Sequence, residues 1–152
     1  MADSAYRKAI DLLARRPHFE AELRAKLRKR SFEEVEISAA IEELRSAGYV
    51  DDLESARVFV RSRLRRSPDG RTKLRADLLR RGASNADAEA ALADHKLPTE
   101  TEIARRAAER WQLRGGHDRA ALLRHLDRRG FSKSDILKVV DELSESAAEP
   151  QV

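Results

Sequence analysis

The side chains in this sequence that could take part in catalysis or metal binding are carboxylates and imidazoles. Asp51 and Asp52 are adjacent, as in pairs that perform acid–base catalysis or bind a cation. Because they directly precede a helical pattern, helix capping is the better interpretation. The four histidines share no metal-ligand spacing, and cysteine is absent. The sequence therefore predicts no catalytic residue, no metal site and no cofactor.

Positive charge is concentrated in the middle of the chain. Nine of the 22 side chains from Val60 to Arg81 are Arg or Lys, against the two acids Asp69 and Asp77, although the net charge is only +4. This local excess favours contact with phosphates or an acidic protein surface. The alternative is an ordinary solvated helix face. The candidate contact residues are Arg57, Arg61, Arg63, Arg65, Arg66, Arg71, Lys73, Arg75, Arg80 and Arg81.

The spacing of the first basic residues predicts a stripe on a helix. Arg57, Arg61 and Arg65 are four residues apart and would lie beside the apolar face of that helix. Aromatic residues could stack on bases, but they fall mostly on apolar faces or at turns, which favours core packing for each. These aromatic residues are Trp111, Phe59, Phe32, Phe131, Tyr6 and Tyr49.

The composition favours a helical protein. Of the 152 residues, 41% are apolar and 38% charged, with few Gly and Pro. Apolar residues recur at helical spacing, and no strand pattern competes. The absence of cysteine, of an apolar run of about 18 residues and of a signal-peptide pattern predicts a soluble cytoplasmic protein without membrane contact.

An internal repeat determines the predicted architecture. Residues 23–44, 74–95 and 122–143 align without gaps, and each reads as helix, turn and helix, with a further helix before it. The predicted fold is all-α, with three tandem three-helix repeats in an elongated array that can curve. The predicted repeats are residues 1–50, 51–97 (the basic one) and 98–145, followed by a disordered tail at 146–152.

The turns inside the repeats carry helix-stop and helix-start residues. Gly82 and Gly130 stand just past the first aligned helix, and Ser84 and Ser132 are placed as N-caps of the next. In the first copy Ser31 takes the glycine position, which predicts a turn that is shifted by a residue or less tightly closed.

Two other positions carry specific expectations. Pro68 suits the first position of the helix that follows Ser67. His95 falls on a core position of the second repeat, which predicts a satisfied or half-buried imidazole.

The segment GYVDDLESARVFVRSRLRR (48–66), with the following K/R-L-R-x-x-L-x-R-R-G pattern of 73–82, resembles the RecX family of recombinase regulators. Residues 12–32 and 122–137 are similar to that family's first and last units. Gly48, Tyr49, Asp51 and Asp52 match the family signature and are interpreted as structural, as are Gly82 and Gly130. The matching arginines, Arg61 and Arg63, are the better contact candidates.

The resemblance implies a modular helical protein that is not an enzyme and needs no cofactor. It implies binding to the RecA filament on DNA, limiting recombinase and coprotease activity in DNA repair and the SOS response. We expect a monomer that can also contact single- or double-stranded DNA directly. The alternatives are a helix-turn-helix nucleic-acid-binding protein without RecA dependence and a helical protein-interaction scaffold.

Overall fold

The computed structural model describes residues 4–148 of the chain. Within that range the backbone forms nine α-helices and no strand, which confirms the all-α prediction. The helices are α1 (Ala5–Leu13), α2 (Glu20–Lys29), α3 (Glu34–Ser46), α4 (Asp52–Arg66), α5 (Arg71–Arg81), α6 (Asn85–Leu92), α7 (Glu100–Leu113), α8 (Arg119–Arg128) and α9 (Lys133–Ala148).

The three aligned turns have the same backbone conformation. Gly82 and Gly130 adopt positive φ angles of 111° and 85°, and Ser31 adopts 67°. The residue after each donates its N–H to the carbonyl five residues back, at 3.3 Å from Phe32 to Leu27 and 3.0 Å from Ala83 to Leu78. The third turn has the corresponding bond, from Phe131 to Leu126, at 3.4 Å. The first turn is therefore neither shifted nor less tightly closed than the third, and this prediction is wrong because Ser31 itself takes the left-handed conformation.

The contacts of the chain define two compact units. The first consists of residues up to Phe59 together with Asp77–Ala91, and the second of Val60–Ala76 together with the residues from Leu92 onward. Helices α4 and α5 therefore contribute residues to both units. The predicted boundaries of three repeats, at 50/51 and 97/98, stay a prediction.

In the first unit, apolar faces of α1, α2 and α3 form a core. Leu23 and Leu27 of α2 and Ile37 and Ile41 of α3 are completely buried there. The two predicted capping carboxylates serve different helices. Asp51 Oδ1 accepts the N–H of Glu54 at 3.1 Å, at the start of α4, whereas Asp52 Oδ1 accepts the N–H of Glu20 at 2.9 Å, at the start of α2.

His18 is the buried histidine of the first unit, with 2% exposure. Its Nδ1 lies 2.9 Å from the carbonyl oxygen of Arg16, and its Nε2 lies 2.9 Å from Lys26 Nζ. A carbonyl can only accept, so Nδ1 carries the ring proton and Nε2 accepts from the ammonium group. Burial lowers the pKa of His18 below its usual value, and the nearby charges of Arg16 and Lys26 lower it further.

In the second unit, α7 and α8 pack against α9. Ala104, Ala107 and Ala108 of α7 and Val139 of α9 are almost completely buried. Helix α9 continues through Ala148, so the first part of the predicted tail, residues 146–148, is helical, and residues 149–152 lie outside the described range.

The link between α4 and α5 is buried and non-helical. Helix α5 begins at Arg71, so the prediction that Pro68 opens this helix is wrong. Pro68, Asp69 and Gly70 are all buried instead. The backbone N–H of Gly70 donates to the carbonyl of Arg129 at 2.7 Å, which fixes the link against the end of α8.

Asp69 is the centre of a buried ion cluster, which we call the Asp69 cluster: Asp69, Arg63, Lys73, Arg129 and Ser67. The carboxylate is 1% exposed and lies 3.2 Å from Arg63, 3.2 Å from Lys73 and 3.0 Å from Arg129. Ser67 Oγ also donates to it, at 3.4 Å. Burial raises the pKa of Asp69, but the hydrogen bonds and charges of its three cations outweigh burial and lower the pKa below its usual value.

Backbone packing at the same place requires glycine. A Cβ at Gly70 would overlap the carbonyl group of Gly130, and a Cβ at Gly130 would lie 2.5 Å from the backbone nitrogen of Lys73. The N–H of Thr72 donates to the carbonyl of Gly130 at 3.2 Å. The two glycines therefore allow the approach that brings Arg129 to Asp69.

We predict that Asp69→Asn lowers the free energy of unfolding by about 3 kcal/mol at neutral pH, since it leaves three partly buried cations without a counter-charge. Urea unfolding followed by circular dichroism measures the change. The matched control is Asp141→Asn, whose carboxylate is 61% exposed and pairs with Arg119. It should change stability by less than about 1 kcal/mol, and equal losses would contradict the structural role of Asp69.

We also predict that the free energy of unfolding falls as the pH drops below about 6.5. The native state keeps His18 neutral while the unfolded chain binds a proton there, so acid favours unfolding by at most about 1.4 kcal/mol per pH unit. His18→Gln should remove this part of the slope in urea titrations. His95→Gln, at a 91% exposed side chain, should retain it, and identical slopes in both variants would refute the assignment.

Candidate functional site

The predicted stripe lies on α4, where alternating Arg and apolar residues follow the capped start at Asp51. Arg61 and Arg65 are exposed, and Arg57 is partly exposed, with Glu54 at 3.9 Å. The spacing of four places the three on one side of the helix, as the sequence indicated.

Several of the predicted contact residues are bound to acids of the chain. Arg63 and Lys73 belong to the Asp69 cluster. Arg80 lies 2.8 Å from Asp77. Arg81 lies 3.8 Å from Glu22, and its guanidinium stacks over the Phe59 ring at 5.1 Å. Asp69 and Asp77 therefore pair with three of these cations and Glu22 with one, and contact of the run with phosphates or an acidic protein surface stays a prediction.

An open groove in the second unit is lined by several cations. We call it the basic groove, and its volume is about 440 Å³. It is lined by the cationic residues Arg61, Arg65, Lys96 and Arg106, the apolar residues Leu64, Leu97 and Pro98, and the acid Asp94. Arg65, Lys96 and Arg106 are exposed, and none of them forms an ion pair with another residue between 4 and 148.

The turn after α6 brings Lys96 into the groove. Asp94 Oδ1 accepts the N–H of Lys96 at 3.0 Å, and the Asp94 carbonyl accepts the N–H of Leu97 at 3.1 Å. Thr99 then caps α7: its Oγ1 accepts the N–H of Glu102 at 3.2 Å, and Glu102 Oε2 accepts the N–H of Thr99 at 2.8 Å. These bonds set the path of the segment between α6 and α7.

Sequence reasoning missed Lys96 and Arg106. Both are isolated from the basic run in the sequence, and only the packing of α7 and the 93–99 turn brings them beside α4. The S/T-x-x-E capping pattern of 99–102 was a sequence signal for the start of α7. No pattern in the sequence states which face of α7 meets the groove.

None of the other candidates discussed here lines this groove. His95 is 91% exposed, so the half-buried prediction is wrong; α6 ends at Leu92, and the repeat periodicity no longer applies at 95. Phe59 and Phe131 are buried as predicted, but Tyr49 is 60% exposed, so core packing is wrong for it. Across residues 4–148, no group of three or more His, Cys, Asp or Glu side chains could hold a metal ion.

Comparison with known proteins gives the family. Residues 5–44 match the model of the RecX first three-helix domain, and residues 51–92 match that of the second. The chain belongs to the RecX family. "Regulatory protein RecX" of Prosthecochloris aestuarii is 35% identical over 150 residues, covering 94% of this chain and 98% of that protein. A "Regulatory protein RecX" of Thermus thermophilus is 40% identical over 131 residues, covering 86% of each chain.

Solved RecX structures have the same fold. The crystal structure of RecX from Lactobacillus salivarius superposes with a TM-score of 0.82 at 25% identity, covering 93% of this chain and 95% of that one.

A regulatory role follows from membership of the RecX family, whose similar members are named regulatory proteins. Among the helices of residues 4–148, none combines the length and hydrophobicity needed to cross a membrane.

We predict that the two neighbouring arginines Arg63 and Arg65 differ sharply in their effect on stability. Arg63→Glu places a second carboxylate beside buried Asp69 and should lower the free energy of unfolding by about 3 kcal/mol. Arg65→Glu makes the same charge change two residues away and should alter it by less than about 1 kcal/mol, since Arg65 pairs with no described acid. Urea unfolding compares the two variants, and similar losses would contradict the division between structural and groove arginines.

Proposed function

We propose that this RecX protein binds the RecA filament on DNA and lowers its recombinase and coprotease activity in DNA repair and the SOS response. The observation that carries the proposal is the basic groove, in which Arg65, Lys96 and Arg106 converge without ion-pair partners among the described residues. Cations that no acid among residues 4–148 neutralises are available to an acidic partner. A filament of RecA and DNA presents both phosphates and protein carboxylates.

The chemistry of the groove supports binding. Its walls are arginine, lysine and aliphatic groups, which attract and hold an anionic surface. The described chain brings together no cluster of metal-binding side chains. Regulation of another protein's activity by occupation of its surface needs only such a binding site.

Binding to nucleic acid without RecA is the second candidate, favoured by the same unpaired cations. It predicts equal affinity for bare single-stranded DNA and for the filament, with a steep dependence on salt. Filament binding predicts that RecA is required.

We predict that the protein binds RecA–ATP–single-stranded DNA filaments at least about tenfold more tightly than bare DNA or free RecA, because several contact sites are engaged at once. Fluorescence anisotropy of the labelled protein measures binding, and ATP hydrolysis by RecA should fall in parallel. The combined variant Arg57→Glu, Arg61→Glu and Arg65→Glu should bind the filament at least about tenfold more weakly.

The matched control reverses three exposed charges outside the groove: Arg124→Glu, Arg128→Glu and Lys138→Glu. It should bind as the wild type does. Equal binding of wild-type protein to bare DNA and filament would favour the nucleic-acid candidate. No binding to filament, DNA or RecA would refute both candidates.

A further inference from the structure

The basic groove combines two kinds of surface. Three exposed cations on different segments, Arg65 of α4, Lys96 of the 93–99 turn and Arg106 of α7, surround it without ion pairs to described residues. Cations that converge on one groove create a positive potential there, which attracts a partner that carries several negative charges.

The apolar residues that line the groove indicate that the partner also carries an apolar group. Leu64 is 5% exposed, Leu97 is half-buried and Pro98 is exposed, and all three line the same groove. We call these three residues the floor of the groove. The volume of about 440 Å³ lies in the range of roughly 300–1,000 Å³ that is typical of ligand pockets. A partner that fills the groove must therefore place an apolar group between its charges.

A nucleic-acid strand fits these features less well than a peptide. Proteins that hold single strands stack the bases on aromatic side chains, and no aromatic residue lines this groove.

We propose that the basic groove binds an acidic peptide segment of a protein partner. A large apolar side chain of that segment packs on Leu64, Leu97 and Pro98, and flanking carboxylates meet Arg65, Lys96 and Arg106. The inference deepens the proposed function and rests on it for the place of this partner in the filament: the groove contacts the protein component and leaves the phosphates to other cations. The chemistry of the groove itself requires only an acidic segment with an apolar side chain.

The test uses the full-length protein and fluorescein-labelled probe peptides. One set alternates Glu and Asp with Leu or Phe, and a matched set replaces each Leu or Phe by Ser at unchanged charge. Fluorescence polarisation should show at least about tenfold tighter binding of the apolar set, because only that set fills the floor of the groove. A labelled oligothymidine of similar charge is the nucleic-acid probe and should bind more weakly than the apolar acidic peptides.

Two variants locate the binding. The combined change Lys96→Glu and Arg106→Glu should weaken binding of the apolar acidic peptides at least about tenfold. Leu97→Ser removes part of the floor and should abolish the preference for the apolar set. The control Arg124→Glu with Lys138→Glu has the same charge change on exposed residues outside the groove and should bind as the wild type does. Urea unfolding verifies that each variant is folded.

The outcomes separate this inference from the proposed function. Equal affinity for the apolar and Ser peptides, no binding of any peptide, tighter binding of oligothymidine that depends on Lys96 and Arg106, or unchanged binding by the groove variant would each overturn the inference. Filament binding by the wild-type protein is measured separately. If filament binding persists while the peptide test fails, only the groove assignment is wrong; if the peptide test succeeds without filament binding, only the proposed function is wrong.

Discussion

The carboxylate of Asp69 is the constraint on which the second unit depends. One buried acid receives Arg63 from α4, Lys73 from α5 and Arg129 from the end of α8, so a single charge holds three helices at one point. The buried apolar residues Ala56, Val60 and Leu64 orient α4, and Arg63 reaches the Asp69 carboxylate from one side of that helix. Residues two positions apart on a helix differ by about 200°, so when Arg63 faces Asp69 its neighbour Arg65 projects to the opposite side. Arg63 therefore stabilises the fold through the Asp69 cluster, whereas Arg65 of the same helix is exposed to solvent.

The exposed arginines of α4 line the basic groove together with the segment that follows α6. There Lys96 reaches the side of α4 that carries Arg65, over a floor that includes Leu97. In the complex that we propose, the long-range attraction of the charges would accelerate the encounter with an acidic partner, and apolar contact on the floor of the groove would slow its dissociation. Neither surface alone gives both properties. A solvated basic helix would bind many anions briefly, and an apolar cleft without charge would have no preference for an acidic segment.

Much of the fold could be predicted from the sequence because it depends on local chemistry. Helical spacing, N-cap serines and the glycines Gly82 and Gly130 predict the helices and their turns. At Ser31 the residue type misled the prediction, because the aligned position takes the left-handed conformation even without glycine. Prediction failed where packing overrides local preference. Pro68 is suited to begin a helix, but the buried link between α4 and α5 packs against the end of α8, and α5 begins only at Arg71. His95 lies beyond the end of α6, where helical periodicity no longer says which side is buried.

The candidate site could be predicted only in part, since charge counted along a sequence differs from charge counted in space. Arg63 and Arg65 are equivalent in the sequence, yet one is bound to Asp69 and the other meets no described acid. Lys96 and Arg106 lie outside the basic run, yet they line the groove with Arg65. Electrostatic interaction acts over roughly 8–10 Å at ordinary ionic strength, a distance that packing fixes and sequence separation does not. An excess of arginine in a sequence therefore indicates that a charged site exists, but the acids and helices folded around each arginine decide which of them form it.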